Sequence, residues 1–207
     1  MAAVTSSLDA LPVSDPVRRQ FDFLLASHRL TGVLRLNRLL DGSRSESSAE
    51  HSWHLALMAI VLAADHAPDV DLGRVVSMLV IHDLVEVEAG DVPIYDEQLR
   101  TDIVAEEQRA AAALFGRLPP EEGSRLLALW QEFEAAGTDA ARFARAIDRL
   151  QPLLLHWASD GAAWAARGVT VAVERRLMAA IEGFWPSLGP IADGLVADAH
   201  RRGLLAD

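Results

Sequence analysis

The 207 residues carry 30 Asp and Glu against 19 Lys and Arg, a net charge of −11, and no cysteine. That composition excludes disulfides, zinc–thiolate sites and thiol catalysis, and a field this acidic does not draw in a nucleic-acid polymer. Hydrophobic residues make up 51% but aromatics only 6%, with a single Tyr, a balance rich in Ala that favours an all-α fold over a sheet.

Residues 1–14 read as a loose leader that lacks the basic start and apolar core of a signal peptide. Residues 15–207 then read as one helical domain with no linker, repeat or boundary. Ser14-Asp15-Pro16 is a helix start, and the first helix covers residues 16–27 with Phe21, Leu24 and Leu25 on its inner face. A second helical piece spans residues 28–40, carrying Leu30, Val33, Leu34 and Leu36 beside Arg29, Arg35 and Arg38. A polar loop over residues 41–49 follows. Within it, Ser47-x-x-Glu50 is a capping box that opens the next helix. His51 comes at once and heads the stripe His51, Leu55, Met58, Ala59, Leu62.

Residues 71–87 form the next predicted helix, with the inner stripe Leu72, Val75, Val76, Leu79, Asp83, Glu86. Two acids continue an apolar stripe, which is expensive unless something compensates them. On an α-helix Glu86 lies ~40° from His82 and ~60° from Asp83, so all three can share a pocket. Gly90-Asp91 breaks the helix. The run over residues 75–81 is too short to span a bilayer.

A long helix covers residues 96–115, another residues 121–135, and a third residues 140–158, capped by Thr138 or Asp139. The third has the stripe Ala144, Ile147, Asp148, Gln151, Leu154, Leu155, again with an acid on a buried face. Pro152 clashes with the carbonyl four residues back and predicts a bend. Two tail helices, over residues 171–183 and 187–202, close the chain.

The polar residues on inward faces are His51, His82, Asp83 and Asp148. Two imidazoles and two carboxylates suit one divalent ion among Mn²⁺, Co²⁺, Fe²⁺, Ni²⁺, Zn²⁺ and Mg²⁺ without choosing between them. Taken singly, each has a plainer reading: a capped or surface His, or Asp148 paired with Arg142, Arg145 or Arg149. It is the set, with Glu86 and Gly90-Asp91 appended, that points to a site.

The order His51…His82-Asp83…Asp148 resembles the HD superfamily of metal-dependent phosphohydrolases. Glu50-His51-Ser52, His82-Asp83-x-x-Glu86-x-x-x-Gly90-Asp91-x-Pro93 and Ala146-Ile147-Asp148-Arg149-Leu150 are similar to its bacterial 5′-deoxynucleotidase branch. The resemblance runs from about residue 29 to residue 157 and implies an all-α HD bundle. It implies that His51, His82, Asp83 and Asp148 hold one divalent metal, that Glu86 orients a water or acts as general acid/base, and that Asp91 binds the sugar or assists at the leaving oxygen. Arg35 would bind the phosphate, and Arg44 would order its loop through Glu46. The branch carries Trp after the phosphate-binding Arg, whereas Leu36 stands here, which leaves the sugar preference open.

The expected activity is removal of the 5′-phosphate from (deoxy)nucleoside monophosphates. A triphosphate or nucleotide-analogue phosphohydrolase and a non-enzymatic helical sensing dimer are the alternatives. The expected partners are a small phosphorylated substrate, with no nucleic acid polymer and no membrane. The expected location is the cytoplasm. The mean hydropathy of +0.15 fits either an Ala-rich helical protein or a buried subunit interface, and with the resemblance it suggests a homodimer.

Overall fold

The computed structural model describes Leu8, residues 12–89 and residues 97–207. The expected leader over residues 1–14 falls largely outside them, and so does Asp91. The described chain is a bundle of helices around one apolar core that runs from Phe23 to Leu205. Helix α1 (Asp15–Ser27) is followed by a 3₁₀ turn (His28–Gly32), a small antiparallel hairpin β1 (Leu34–Arg38) and β2 (Ser45–Ser47), and helix α2 (Ser48–His66). Then come α3 (Leu72–Ile81), a 3₁₀ turn (His82–Val85), α4 (Glu86–Ala89), α5 (Glu97–Phe115) and α6 (Pro120–Ala135). Helix α7 (Asp139–Ala158), the short α8 (Ala162–Ala165), α9 (Val171–Phe184) and α10 (Gly189–Arg201) complete the bundle.

Local signals set most helix starts. The Ser47 hydroxyl accepts from the Glu50 amide at 3.3 Å while the Glu50 carboxylate accepts from the Ser47 amide at 2.9 Å, so the capping box forms in both directions. Asp71 caps α3 and Thr138 caps α7 through their side chains. Helix α7 runs on past Pro152 to Ala158. Among its buried side chains are Phe143, Ile147 and Leu153, each at most 1% exposed, which place this helix at the centre of the core.

Three expectations need correction. Residues 28–40 are not one helix: only His28–Gly32 is helical, as a 3₁₀ turn, and Leu34–Arg38 is a strand. Leu34-Arg35-Leu36-Asn37-Arg38 alternates with the period of a strand, and the side turned inward is the polar one: Arg35 and Asn37 are the less exposed, Leu34, Leu36 and Arg38 the more exposed. Helical periodicity misses this because the hairpin's inner face lines a polar site. The expected helix over residues 71–87 breaks after Ile81 into a 3₁₀ turn, whose tighter winding supersedes the α-helical angles. On α1 the buried residues are Phe23 and Ala26, whereas Phe21, Leu24 and Leu25 are exposed. Phe23 packs on Phe115 with ring centroids 6.1 Å apart, and Arg19 donates to the Leu118 carbonyl at 3.0 Å, so α1 docks by that edge against the end of α5.

Candidate metal centre

Four segments meet at one point. His51 lies in the first turn of α2, fully buried, where the capping box fixes the direction in which the helix leaves the hairpin. His82 and Asp83 begin the 3₁₀ turn after α3, with every residue of that turn buried. Trp130 of α6 donates its indole N–H to the His82 carbonyl at 3.0 Å, giving a partner to a backbone group at the helix break. Asp148 comes from the middle of α7, and Arg35 from the inner side of β1.

One donor atom each from His51, His82 and Asp83 lies within 4.8 Å of the others. Asp148 joins them: its Oδ1 is 3.1 Å from His51 Nε2 and 3.7 Å from His82 Nε2. Asp83 Oδ1 is 2.9 Å from His82 Nε2, and Asp83 Oδ2 is 3.9 Å from His51 Nε2. The two imidazole centroids are 5.6 Å apart. His82 Nδ1–H donates to the Leu79 carbonyl at 2.9 Å, which leaves Nε2 as the atom turned to the cluster. That Nε2 is buried and makes no hydrogen bond of good geometry. An orphaned ring nitrogen beside two carboxylates is the donor set of a divalent cation, so the residues fit the expected metal.

The electrostatics describe a site built around positive charge. Burial pushes the His82 imidazole down, but the Asp83 and Asp148 carboxylates outweigh it and lift it to about 10. Burial would raise the Asp148 carboxyl, yet the His51 and His82 imidazoles beside it hold it well below the ordinary range. Asp83 is likewise raised by burial and brought below its usual value by His82 and Arg35.

Arg35 Nη1 donates to Asp83 Oδ2 at 3.0 Å and lies 3.9 Å from Glu86 Oε1. Glu86 Oε2 accepts from the Ser48 hydroxyl at 2.6 Å. All the expected site residues that are described therefore come together: His51, His82, Asp83 and Asp148 at the centre, Arg35 and Glu86 beside them. Leu36 points to the opposite side of β1 from Arg35. Arg44 is a correction, for it pairs with Glu50 and not with Glu46. Glu46 instead is 3% exposed and faces the cluster.

Sequence reasoning missed Ser48, Glu46 and Gln151 as site residues. Gln151 had a signal, since it is a polar residue one turn after Asp148 on a buried stripe. Ser48 and Glu46 had none, because their partners lie 38 and 105 positions away.

The model of the HD domain matches residues 27–182, most of the chain. The chain belongs to the HD domain family. The HD bundle thus contains the whole cluster, from Arg35 to Asp148. A solved structure from Magnetospirillum magnetotacticum, described as a predicted metal-dependent phosphohydrolase, is 46% identical with a TM-score of 0.87, covering 93% of this chain and 97% of that one. The 5′-deoxynucleotidases HDDC2 of Bos taurus and Homo sapiens are 28% and 27% identical over 111 residues, 54% of this chain and 53% of theirs. The match thus spans about half the length of these curated relatives. A conserved hypothetical protein from Pyrococcus furiosus, 19% identical with a TM-score of 0.58, shares the fold. Among the described residues no helix is long and apolar enough to cross a membrane.

Proposed function

We propose that this HD protein is a metal-dependent phosphohydrolase that removes the 5′-phosphate from (deoxy)nucleoside 5′-monophosphates. The observation that carries the reading is the convergence of His51, His82, Asp83 and Asp148 beside Arg35 and Glu86. The names borne by the Magnetospirillum structure and by the HDDC2 relatives support the reaction class and the substrate.

In this reading His51, His82, Asp83 and Asp148 hold the ion through two imidazole nitrogens and two carboxylates. When bound, a divalent ion supplies Lewis-acid polarisation of the phosphoryl group and a water made acidic enough to attack at neutral pH. Arg35 binds the phosphate, its guanidinium matching two phosphoryl oxygens at once. Glu86 orients the water and takes its proton, held for that task by the Ser48 hydroxyl. Asp91, from the sequence pattern, binds the sugar or assists at the leaving oxygen.

The assay is phosphate release from nucleoside monophosphates by metal-loaded protein. Release that Asp83→Ala abolishes is the expected result, and release no greater than that control overturns the reading. Triphosphate substrates serve in the same assay: pyrophosphate or inorganic triphosphate as product would move the cut away from the monoester.

The quaternary reading is a homodimer. Trp53, Leu57, Ile60 and Val61 recur along one side of α2 and are each more than 40% exposed, the kind of apolar surface that a second subunit covers. Light scattering at micromolar concentration tests it, and a monomer would overturn it.

A further inference from the structure

The His51 ring has a second, buried set of contacts behind the metal-facing edge. Its Nδ1 lies 3.1 Å from Gln151 Oε1. The Gln151 amide nitrogen lies 2.8 Å from Glu46 Oε1 and 3.3 Å from His54 Nδ1. Gln151 and His51 are fully buried and Glu46 is 3% exposed. The amide therefore spends its carbonyl on His51 and both N–H groups on Glu46 and His54, its main capacity filled.

The orientation of that amide follows from its neighbours. Turned over, Gln151 would set its carbonyl against a carboxylate oxygen at 2.8 Å and its NH₂ against His51. Burial raises the Glu46 carboxyl, and the Arg35 guanidinium 3.9 Å away opposes that rise. As a carboxylate Glu46 accepts and does not donate, so the NH₂ belongs on Glu46 and the carbonyl on His51. A carbonyl accepts only, so His51 Nδ1 carries a proton. The lone pair of a neutral imidazole is then left on Nε2, which faces Asp148 and the cluster.

We infer that Gln151, oriented by Glu46, is a positioning residue that locks His51 in the Nδ1–H tautomer and so presents Nε2 to the metal. His82 is locked in the same sense by the Leu79 carbonyl, but a backbone group cannot be lost by substitution, whereas Gln151 can. Three segments, from β2, α2 and α7, are thus tied together through one amide. Partners of this kind change metal affinity by about 10–100-fold when removed. The inference rests on the metal-binding reading above and is tested apart from catalysis.

The experiment titrates the chelator-stripped protein with Co²⁺ and follows its absorption. The variants are Gln151→Leu, Gln151→Glu and the double variant Glu46→Gln with Gln151→Glu. Gln151→Leu removes the acceptor, and Gln151→Glu sets two carboxylates against each other. The double variant exchanges donor and acceptor between positions 46 and 151 and keeps an acceptor oxygen on His51. Gln151→Leu is expected to weaken Co²⁺ binding at least about ten-fold. Gln151→Glu is expected to weaken it as the two carboxylates repel and draw the oxygen off His51, and the double variant to recover most of that loss.

Ring ¹⁵N spectra of the Zn²⁺-loaded protein read the tautomer directly. The wild type and the double variant are expected to show a protected His51 Nδ1–H, and Gln151→Leu to lose it. Wild-type Co²⁺ affinity with that signal intact in Gln151→Leu overturns the inference and leaves the metal site standing. No recovery in the double variant also overturns it. Wild-type protein that binds no Co²⁺ removes the metal reading itself. Should Gln151→Leu fail to fold in a thermal melt, the comparison of Gln151→Glu with the double variant still decides.

Discussion

Arg35 of the hairpin donates its Nη1 to Asp83 Oδ2 at 3.0 Å, so the site's own cation is paired with one of the carboxylates proposed to hold the metal. The guanidinium is largely buried and lies 3.9 Å from both Glu86 and Glu46. It offsets part of the negative charge that Asp83, Glu86 and Glu46 bring together, and in the proposed reading a phosphate oxygen exchanges with Asp83 for its N–H groups. That reading links the binding of ester and of metal through one residue.

Arg35→Ala is expected to raise KM for the phosphate ester by about 10–100-fold, the worth of a charge-assisted bond. Arg35→Lys is expected to recover little of it, because an ammonium lacks the planar fork. Co²⁺ affinity of Arg35→Ala should stay at or above wild type, since Asp83 loses a competitor. Loss of metal in that variant would show Arg35 to be a structural support of the cluster.

Asp83 touches both His82 and Arg35. Wild-type protein incubated with Mn²⁺ or Co²⁺ and freed of excess ion is expected to carry about one metal per chain by mass spectrometry, and Asp83→Ala almost none. Equal metal in both would mean that the four proposed ligands do not act as one site.

The Ser48 hydroxyl is fully buried and gives its hydrogen bond to Glu86 at 2.6 Å. Ser48→Ala is expected to lower kcat about ten-fold or more while leaving KM and metal content near wild type, because a hydrogen bond to a charged group is worth about 1.5–3 kcal/mol. A change confined to KM would move Glu86 from the chemistry to substrate binding.

A buried histidine away from the site sets a pH limit on stability. His156 Nε2–H donates to Asn37 at 2.8 Å, while its Nδ1 is buried without a partner. Burial, with help from Arg167, pushes this imidazole from 6.5 down to about 4. The unfolded chain therefore takes up a proton near pH 6.5 and the native protein only near pH 4, so the stability contribution is complete above pH 6.5 and is lost as the pH falls through that window. The whole effect is on the order of 3 kcal/mol. The melting temperature is expected to drop more steeply between pH 6.5 and 4 in wild type than in His156→Gln. Equal slopes in that window would refute the assignment.

Much of the bundle was legible in the chain because its signals are local. Ser47 and Glu50 announce α2, Thr138 announces α7, and stripes at helical spacing mark what faces inward. His51, Asp83 and Asp148 stood out because a polar group on an apolar stripe is costly without a partner, so its presence there implies one. Phe21, Leu24 and Leu25 show the weakness of that reasoning: a short apolar stripe on α1 does not say which edge docks, and here Phe23 and Ala26 do.

Sequence by itself determined the helical class, most helix boundaries and the residue types of the site, since capping and periodicity are properties of neighbours along the chain. Only the tertiary structure decided that residues 34–38 are a strand, because its hydrogen-bond partners on Ser45–Ser47 lie across a turn. It also decided that α3 breaks at His82, where an indole N–H from α6 meets the carbonyl. And it alone joined Ser48 to Glu86 and His51 to Gln151, 38 and 100 positions apart. Hydrogen bonds at such separations depend on how helices pack, and no local pattern of side chains carries that distance.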